Sequence, residues 1–194
     1  NGTAIYTGAF TPPSLAPLTT AGSTSAAAYP STTNVNTSFA SSVTSLLTLQ
    51  ERGAFNTTGF VDSSEYQHVI TRNGNTTQGT FSPFSQTGWG NYFNGSASAL
   101  YTPNTGQFAP TGDFTIGFWV YPITLGVQVY VSNYVSNLST DWSIETTASG
   151  TVDVYTNGAT RRIQASAGTL TTGSWFYIAL VRSEEHTSEL QSPY

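Results

Sequence analysis

Large apolar residues alternate with small or polar ones along several short stretches of the chain, which is the pattern of strands with one buried face. Residues 113–121 show it most clearly. The apolar set is Phe114, Ile116, Phe118 and Val120, and the opposite set is Thr115, Gly117, Trp119 and Tyr121. Pro122 ends the stretch, because proline cannot donate a ladder hydrogen bond. The pattern predicts a strand over 113–121.

Five further strands are predicted downstream, separated by turn-forming residues. They cover 127–135, 141–147, 151–155, 160–165 and 174–182. The Asn-Gly pairs at 73–74 and 157–158 predict type I′ hairpin turns, whose two central residues both need a positive φ. Short strands at this spacing indicate an all-β antiparallel sandwich. We expect one core shared by Phe114, Ile116, Phe118, Ile144, Trp175, Ile178 and Leu180.

The first 42 residues differ from the rest of the chain in composition and periodicity. Four of the chain's nine prolines lie there, among Ser, Thr and Ala without periodicity. This composition is typical of an extended connector. Only 4–10 are apolar enough to predict a strand or strand end, and the sandwich is expected to begin near Val43. We therefore expect residues 1–42 to be largely detached from it. One alternative is that the strand around Ile5 and Phe10 docks into a strand position that the sandwich leaves vacant.

Ionisable side chains are scarce: charged residues make up 8% of the chain, and the net charge is −5. Arg161 and Arg162 form the one close basic pair, too little to follow a phosphate backbone, so nucleic-acid binding is not expected. The absence of cysteine excludes disulfides, thiolate catalysis and cysteine zinc sites. No apolar run reaches the ~18 residues of a membrane-spanning helix, and no membrane insertion is expected.

Five segments, in this order and at this spacing, resemble the laminin-G-like jelly-roll domains of large phage virion proteins and bacterial surface proteins. They are 80–84 (TFSPF), 92–96 (YFNGS), 111–122 (TGDFTIGFWVYP), 142–144 (WSI) and 173–182 (GSWFYIALVR). The resemblance implies a concanavalin-type jelly-roll sandwich with a binding or adhesive role.

Flanking segments extend the resemblance. Residues 44–50, 60–64 and 70–74 are similar to the lead-in of marine tailed-phage structural proteins, which favours a virion context. Residues 1–13 resemble the closing strand of a preceding module, which implies a tandem array in a larger multimodular chain. The expected plan is a closing strand and exit segment (1–18), a Ser/Thr/Ala-rich linker (19–42), a truncated sandwich (43–182) and a tail (183–194).

The tail has a composition of its own. Residues 183–194 hold three of the six glutamates and one of the two histidines, and are similar to a translated sequencing-library adapter. We expect this tail to be an artefact that forms no strand and makes few core contacts, leaving the sandwich incomplete.

The chain departs from the family where ionisable or reactive groups are common. Residues 95–100 (GSASAL) lack an aspartate that the family often carries, Tyr177 stands where histidine is frequent, and Leu49 stands where cysteine is frequent. These changes weaken the case for a metal or acid site.

Two groups invite a catalytic interpretation. Asp141, Ser143 and Glu145 occupy positions where sandwich-fold glycosidases carry alternating carboxylates, but serine replaces the middle one. Strand residues four apart are separated by ~13 Å, whereas a retaining pair needs carboxyls ~5 to 5.5 Å apart. His68 lies near Asp62 in sequence, yet no nucleophile-elbow motif accompanies it. Structural roles are favoured for both groups.

Aromatic residues are the better ligand-binding candidates. Trp119, Trp142 and Trp175 lie in strong strands and are assigned to the core. Trp89 and Tyr101 lie in turn-rich surroundings and are the candidate ligand-binding residues. Calcium stays possible through Asp62, Asp113, Asp153 and Asn94, but these do not cluster in the sequence, and no metal or other cofactor is assigned.

The leading hypothesis is a non-catalytic adhesion module of a phage tail fibre or appendage, located in the virion or outside the cell. Its partners would be host-surface glycans or neighbouring subunits. The alternatives are a bacterial surface adhesin and an accessory carbohydrate-binding module of a glycoside hydrolase. Capsid, portal or tail genes nearby would favour the virion, and a catalytic domain upstream would favour the hydrolase.

Overall fold

A computed structural model of the chain describes residues 2–12, 33–36, 41–48, 60–84, 89–134, 141–157, 160–183 and 186–191. Most of the predicted linker lies outside these residues, as do Gly158, Glu184 and Glu185. The elements are η1 (Ser41–Val43), β1 (Thr71–Asn73), β2 (Thr77–Thr80), β3 (Trp89–Tyr92), β4 (Ala99–Tyr101), η2 (Gly106–Phe108), β5 (Phe114–Val120), β6 (Gln128–Ser132), β7 (Trp142–Thr146), β8 (Val152–Thr156), β9 (Thr160–Gln164), β10 (Phe176–Ser183) and β11 (His186–Gln191), where η is a short 3₁₀ helix. Every strand pairing among them is antiparallel, which confirms the all-β prediction.

The chain divides into two compact units, which are described separately. Unit 1 consists of residue 1 with Phe10–Asn104, and unit 2 consists of Gly2–Ala9 with Thr105–Tyr194. Unit 2 contains a three-stranded sheet in the order β11-β10-β5 and a four-stranded sheet in the order β6-β7-β8-β9. Both sheets contribute side chains to one hydrophobic core, as in a β-sandwich.

The core of unit 2 follows the predicted alternation. Its buried members are Ile144, Val152, Val154, Leu170, Ile178 and Leu180, with Phe114, Ile116 and Phe118 packed against them. Six of the seven predicted core residues are thus confirmed. Trp175 is the exception: it is half-buried and packs edge-on against Tyr121, with ring centroids 5.5 Å apart. Trp175 has the parity of Tyr177, so it points away from the face that carries Ile178 and Leu180.

The outer face of the β5–β10 pair is covered by the N-terminal segment. The Gly2 amide donates to the Asp113 carbonyl at 2.8 Å, and the Ile5 amide donates to Thr115 Oγ1 at 2.8 Å. Tyr6 is 2% exposed, and its hydroxyl lies 2.9 Å from that of Tyr177. The expectation that residues 1–42 are detached is therefore wrong for residues 2–9. The apolar cluster at 4–10 indicated a strand or strand end, but the surface that this segment covers is set by the tertiary structure.

Tyr177 links this segment to the sheet. Its ring stands edge-on to Tyr6 and lies 5.2 Å, centroid to centroid, from the ring of Trp119. Trp119 therefore belongs to this outer aromatic cluster, whereas Trp142 packs on the central core as predicted. Burial raises the pKa of the Tyr177 phenol to about 12, although the hydrogen bond with Tyr6 lowers it somewhat.

This raised pKa predicts a loss of stability in alkali. Below pH ~10 the phenol is neutral in both states, whereas from pH ~10 to 12 it ionises only in the unfolded chain. The free energy of unfolding should therefore fall by about 2 to 3 kcal/mol in this window through Tyr177 alone. In Tyr177→Phe, the free energy of unfolding should lack this part of its decrease with pH. Urea unfolding at pH 9, 10, 11 and 12 measures the decrease. An unchanged slope in the variant would place the titrating group elsewhere.

The tail also differs from expectation. Residues 186–191 form strand β11, which pairs with β10 through Ala179↔Gln191, Leu180↔Leu190 and Val181↔Glu189. The prediction that these residues supply no strand is therefore wrong. Sequence alternation is a weak requirement for a strand whose main partner is the backbone edge of a strong neighbour.

The two Asn-Gly pairs behave differently. Asn157, with φ 53°, begins the connection between β8 and β9, and the paired residues Thr156 and Thr160 confirm a hairpin. Three residues separate this pair, so the loop is one residue longer than a type I′ turn. Asn73-Gly74 forms a turn, with φ 63° at Gly74, but no hairpin: β1 pairs with β4, and β2 pairs with β3. The hairpin prediction at 73–74 is wrong.

Candidate functional site

Exposed aromatic side chains are concentrated in unit 1. We call Phe81, Tyr92, Phe93 and Tyr101 the aromatic surface; their exposed fractions are 50%, 50%, 46% and 56%. All four lie in the stretch 73–112, which contains no Asp, Glu, Lys, Arg or His. Rings of this kind favour ligands that present apolar faces and hydroxyls rather than charges.

The β2–β3 hairpin displays part of this surface. Its register pairs Thr77 with Tyr92, Gly79 with Gly90 and Thr80 with Trp89. Directly opposite residues share a face, and successive residues alternate, so Tyr92 lies on the face of both glycines. Trp89 lies on the other face.

The two glycines determine the shape of the surface on the face of Tyr92. A Cβ on Gly90 would clash with the Phe81 carbonyl oxygen, so the chain after β2 folds over this position. A Cβ on Gly79 would meet no atom of the described residues within 4 Å. On the face of Tyr92, the space over Gly79 is therefore open, whereas the chain after β2 occupies the space over Gly90.

The two residues predicted from the sequence lie on different sheets. Tyr101 ends β4 opposite Thr71 and is exposed, which suits a ligand contact. Trp89 is half-buried on β3 and is less accessible than Tyr92. On the face of Trp89, the side-chain oxygen Oδ1 of Asn91 is buried without a hydrogen-bond partner among the described residues. The sequence placed Tyr92 among the aromatic residues able to stack on a sugar but did not single it out over Trp89, although the alternation along 89–92 could have separated the two faces.

Asp62 organises a separate loop of unit 1. Its Oδ1 accepts hydrogen bonds from the amides of Leu47 at 3.0 Å and Ser64 at 2.9 Å. Its Oδ2 accepts from the Ser64 hydroxyl at 2.8 Å and the His68 amide at 2.9 Å. Burial raises the pKa of Asp62, but the four hydrogen bonds outweigh burial and hold the pKa below its ordinary value.

These bonds also show whether Ser64, His68 and Asp62 are arranged as a catalytic triad. In a catalytic triad the imidazole lies between the hydroxyl and the carboxylate. Here the Ser64 hydroxyl donates to Asp62 directly, and the His68 ring stacks on Tyr66 with centroids 5.8 Å apart. The grouping closes a loop and does not form a triad.

A polar cluster lies on one face of the four-stranded sheet of unit 2. The register places Asp153 on β8 opposite Glu145 on β7, so two carboxylates come from neighbouring strands. Sequence reasoning weighed Asp141 with Glu145 and missed this pair, although the alternation of β8 marks Asp153 as facing away from the core. Asp153 is 1% exposed, and its Oδ1 has no hydrogen-bond partner in the described part of the chain.

Neighbouring side chains of the same sheet hold both carboxylates of this pair in place. Arg161 reaches Asp153 Oδ2 at 3.5 Å and forms an ion pair with it. The Ser143 hydroxyl donates to Glu145 Oε1 at 2.5 Å. Asp141, the other carboxylate considered from the sequence, is 1% exposed. A general acid or nucleophile must reach its substrate, and Asp141 and Asp153 are too deeply buried for that.

A profile described as the concanavalin A-like lectin/glucanases superfamily, of the laminin G type, matches residues 93–190, about half of the chain. The chain belongs to this superfamily. The match contains β4 to β10 and all of β11 except its last residue, and therefore nearly all of the described sandwich apart from the N-terminal segment. Within the aromatic surface it includes Phe93 and Tyr101, whereas Phe81 and Tyr92 precede it. Comparisons with curated proteins and with solved structures gave no significant match.

The superfamily includes both lectins and glucanases by its description, so the arrangement of side chains must separate binding from hydrolysis. In unit 2, Asp141 and Asp153 are buried, whereas Glu145 is partly exposed. The residues considered for calcium are also engaged or dispersed: Asn94 Oδ1 accepts from the Ser96 amide and the Ser98 hydroxyl, at 2.9 Å and 2.6 Å. Within the described ranges, no three His, Cys, Asp or Glu residues are grouped as a metal site would need. None of the described helices is long and apolar enough to span a bilayer.

Proposed function

We propose that the chain is a non-catalytic binding module that contacts glycans through the aromatic surface. The observation that carries the proposal is the half-exposed Tyr92 ring, on the same hairpin face as the open space over Gly79 and within a stretch free of charged residues. The apolar face of a pyranose can stack on such a ring while its hydroxyls bond to backbone and amide groups. Membership of a superfamily that includes lectins supports the same function.

Tyr101 and Trp89 have distinct parts in this proposal. Tyr101 provides a second exposed ring for a neighbouring sugar or for a longer chain. Trp89 supports the hairpin from its opposite face, where Asn91 also lies, and contacts a ligand only at its exposed edge. Nucleic acid is a poor ligand for this surface, since no basic side chain lies between residues 73 and 112 to neutralise phosphates.

We assign the module to the surface of a virion, as part of a tail fibre or appendage in a larger multimodular chain. The ordered resemblance of five segments and of the lead-in at 44–74 supports this assignment. A bacterial surface adhesin would use the same binding chemistry in another parent protein. Capsid, portal or tail genes beside the coding sequence support the virion, and their absence from a complete contig contradicts it.

The adapter origin of residues 183–194 stays a prediction. The pairing of β11 with β10 and the profile match up to residue 190 both count against it. Reading the gene by a method without ligated adapters decides the matter: a coding sequence that keeps the tail would refute the artefact.

Glycan binding should depend on Tyr92 and Tyr101. On an array of bacterial surface polysaccharides the purified chain should bind a subset, and titration calorimetry with the strongest binder should give a measurable Kd. Tyr92→Ala should weaken this Kd about tenfold or more, equivalent to ~1.4 kcal/mol or more, because the stacked ring is lost. Tyr92→Phe should bind nearly as well as the parent, since it keeps the ring.

Tyr134→Ala is the matched control, because Tyr134 is a tyrosine of unit 2 that is 55% exposed and lies outside the aromatic surface. Tyr101→Ala should weaken binding less than Tyr92→Ala. A chain that binds no glycan would refute the ligand class, and full binding by both alanine variants would refute the surface. Glycan turnover abolished by Glu145→Gln would show that the module is an enzyme.

A further inference from the structure

Asn94 and Gly95 lie in the loop between β3 and β4, and both residues are exposed. Oδ1 of Asn94 accepts hydrogen bonds from the Ser96 amide at 2.9 Å and from the Ser98 hydroxyl at 2.6 Å. The side-chain amide of Asn94 is therefore held against the backbone that follows it, in a turn of the kind that asparagine forms with its own chain.

This turn contains the two atoms that must join to close a succinimide ring. The bond from the Ser96 amide to Oδ1 completes a loop that includes both Cγ of Asn94 and the backbone nitrogen of Gly95. Gly95 has no Cβ to obstruct the approach, and its φ of 74° is one that glycine adopts without strain. Among the described residues, the Gly95 amide donates no hydrogen bond that the reaction would have to break.

The two donors on Oδ1 also lie where negative charge develops in this reaction. When the Gly95 nitrogen attacks Cγ, Oδ1 becomes an oxyanion, and donors already directed at such an oxygen lower the barrier. The bonds from the Ser96 amide and the Ser98 hydroxyl strengthen as their acceptor becomes charged. The loop thus positions the reacting atoms and stabilises the charge that forms.

We propose that Asn94 is a modification site, at which the folded loop promotes conversion of the asparagine to aspartate and isoaspartate without an enzyme. The Gly95 nitrogen gives its proton to hydroxide and bonds to Cγ. The Cγ–Nδ2 bond then breaks, and Nδ2 takes up a proton from water and leaves as ammonia. A second water opens the succinimide at either carbonyl, so that the net reaction consumes one water and releases one ammonia.

The product changes the electrostatics of this part of unit 1. A carboxylate at position 94 places a negative charge directly after Phe93 of the aromatic surface, in the stretch 73–112 that otherwise carries no charged side chain. The inference rests on the geometry of the loop and is independent of the proposed glycan binding.

The pair Asn73-Gly74 provides an internal comparison, because it has the same dipeptide in another setting. Asn73 is held in β1 opposite Ala99, and its carbonyl accepts from the Thr76 hydroxyl at 3.4 Å. A Cβ on Gly74 would clash with the Ala97 carbonyl oxygen, so the neighbouring chain packs closely against this turn. Within the described residues, no donor bonds to the Asn73 side chain. Asn73 is therefore expected to react more slowly than Asn94.

Peptide mapping by mass spectrometry tests the proposal on the full chain, incubated in mildly alkaline buffer. In the folded chain Asn94 should convert about tenfold faster than Asn73 or more, equivalent to ~1.4 kcal/mol or more in the barrier. In concentrated urea the two rates should become about equal, because neither turn persists there. Equal rates in the folded chain, or faster conversion of Asn73, would overturn the proposal. So would a preference for Asn94 that persists in urea, since the folded loop would then contribute nothing.

Two serine variants test the part played by the donors on Oδ1. Ser98→Ala removes the hydroxyl donor and should slow the conversion of Asn94 about threefold or more. Ser96→Ala is the matched control, because it keeps the backbone amide that bonds to Oδ1, and should leave the rate unchanged. Thermal unfolding of both variants confirms that they are folded. An unchanged or faster rate in Ser98→Ala would show that the bonds to Oδ1 do not promote the reaction, and would refute the proposed role of the loop.

Discussion

Replacing Gly150 by alanine should destabilise unit 2 by about 4 kcal/mol, the largest effect that we expect from one small substitution. Gly150 has φ 71°, a left-handed conformation that costs alanine ~1 to 2 kcal/mol. An added Cβ would also clash with the Leu170 carbonyl oxygen. Because this obstacle is backbone, the loop carrying Leu170 must move.

The loop cannot move without cost, since it is tied to the same turn. The Leu170 amide donates to the Gly150 carbonyl at 2.9 Å, and the Gly168 amide donates to the Ser149 carbonyl at 2.9 Å. The Leu170 side chain is fully buried in the core. Displacing the loop therefore withdraws a core side chain as well as two hydrogen bonds.

Two other glycines separate the cost of backbone strain from the cost of the clash with Leu170. Gly168 has φ 77° but open space around its Cβ direction, so Gly168→Ala should cost about 1 kcal/mol from the backbone alone. Gly126 has open space and no positive φ, so Gly126→Ala should be neutral or slightly stabilising. Urea unfolding of the three variants measures the series. Equal effects for Gly150→Ala and Gly168→Ala would show that the contact with Leu170 contributes nothing.

Asp62→Ala should destabilise unit 1 by about 3 kcal/mol, because it leaves three amides and one hydroxyl without their acceptor. Amide hydrogen exchange should accelerate at Leu47, Ser64 and His68, whose N–H groups bond to this carboxylate. Asp62→Asn keeps one acceptor oxygen and should lose about half as much. Ser63→Ala is the matched control, since it keeps the backbone bond from Ser63 to Leu47, and should change stability by less than about 0.5 kcal/mol.

The same carboxylate gives unit 1 a dependence on acid. The folded-state pKa of Asp62 lies below its ordinary value, so the charged form is favoured by folding. Its contribution is fully present above the unfolded pKa of ~3.9 and is lost as the pH falls through the folded pKa. The difference in stability between the parent and Asp62→Asn should therefore narrow below pH ~4. A constant difference down to pH 2 would mean that folding does not lower the pKa of Asp62.

The local sequence was sufficient to predict the structure wherever this depends only on the two-residue alternation of a strand. The alternation at 113–121 places Phe114, Ile116 and Phe118 on the core face of β5, as observed. The strands of the second sheet also lie where the alternation indicates, and Asn157 turns the chain between β8 and β9. A period of two fixes the face of each residue before any partner strand is known.

Pairing between distant segments was decided by the tertiary structure. The turn at Asn73-Gly74 is encoded locally, yet β1 joins β4 because a turn residue sets the direction of the chain and not its partner. The N-terminal segment and β11 occupy a face and an edge left open by β5 and β10. The apolar cluster at 4–10 indicated a strand or strand end without identifying its partner, and the pattern at 186–191 indicated no strand.

For the candidate sites too, the sequence determined some features and the tertiary structure decided the others. The sequence by itself determined that the 73–112 stretch is aromatic and uncharged, and the turn-rich surroundings of Trp89 and Tyr101 marked these two as candidates. Only the tertiary structure decided that Tyr92 is the accessible ring of its hairpin, and that Asp153 lies opposite Glu145 and is sealed from solvent. Composition and spacing belong to the chain, whereas exposure and cross-strand neighbours depend on which surfaces the folded strands leave uncovered.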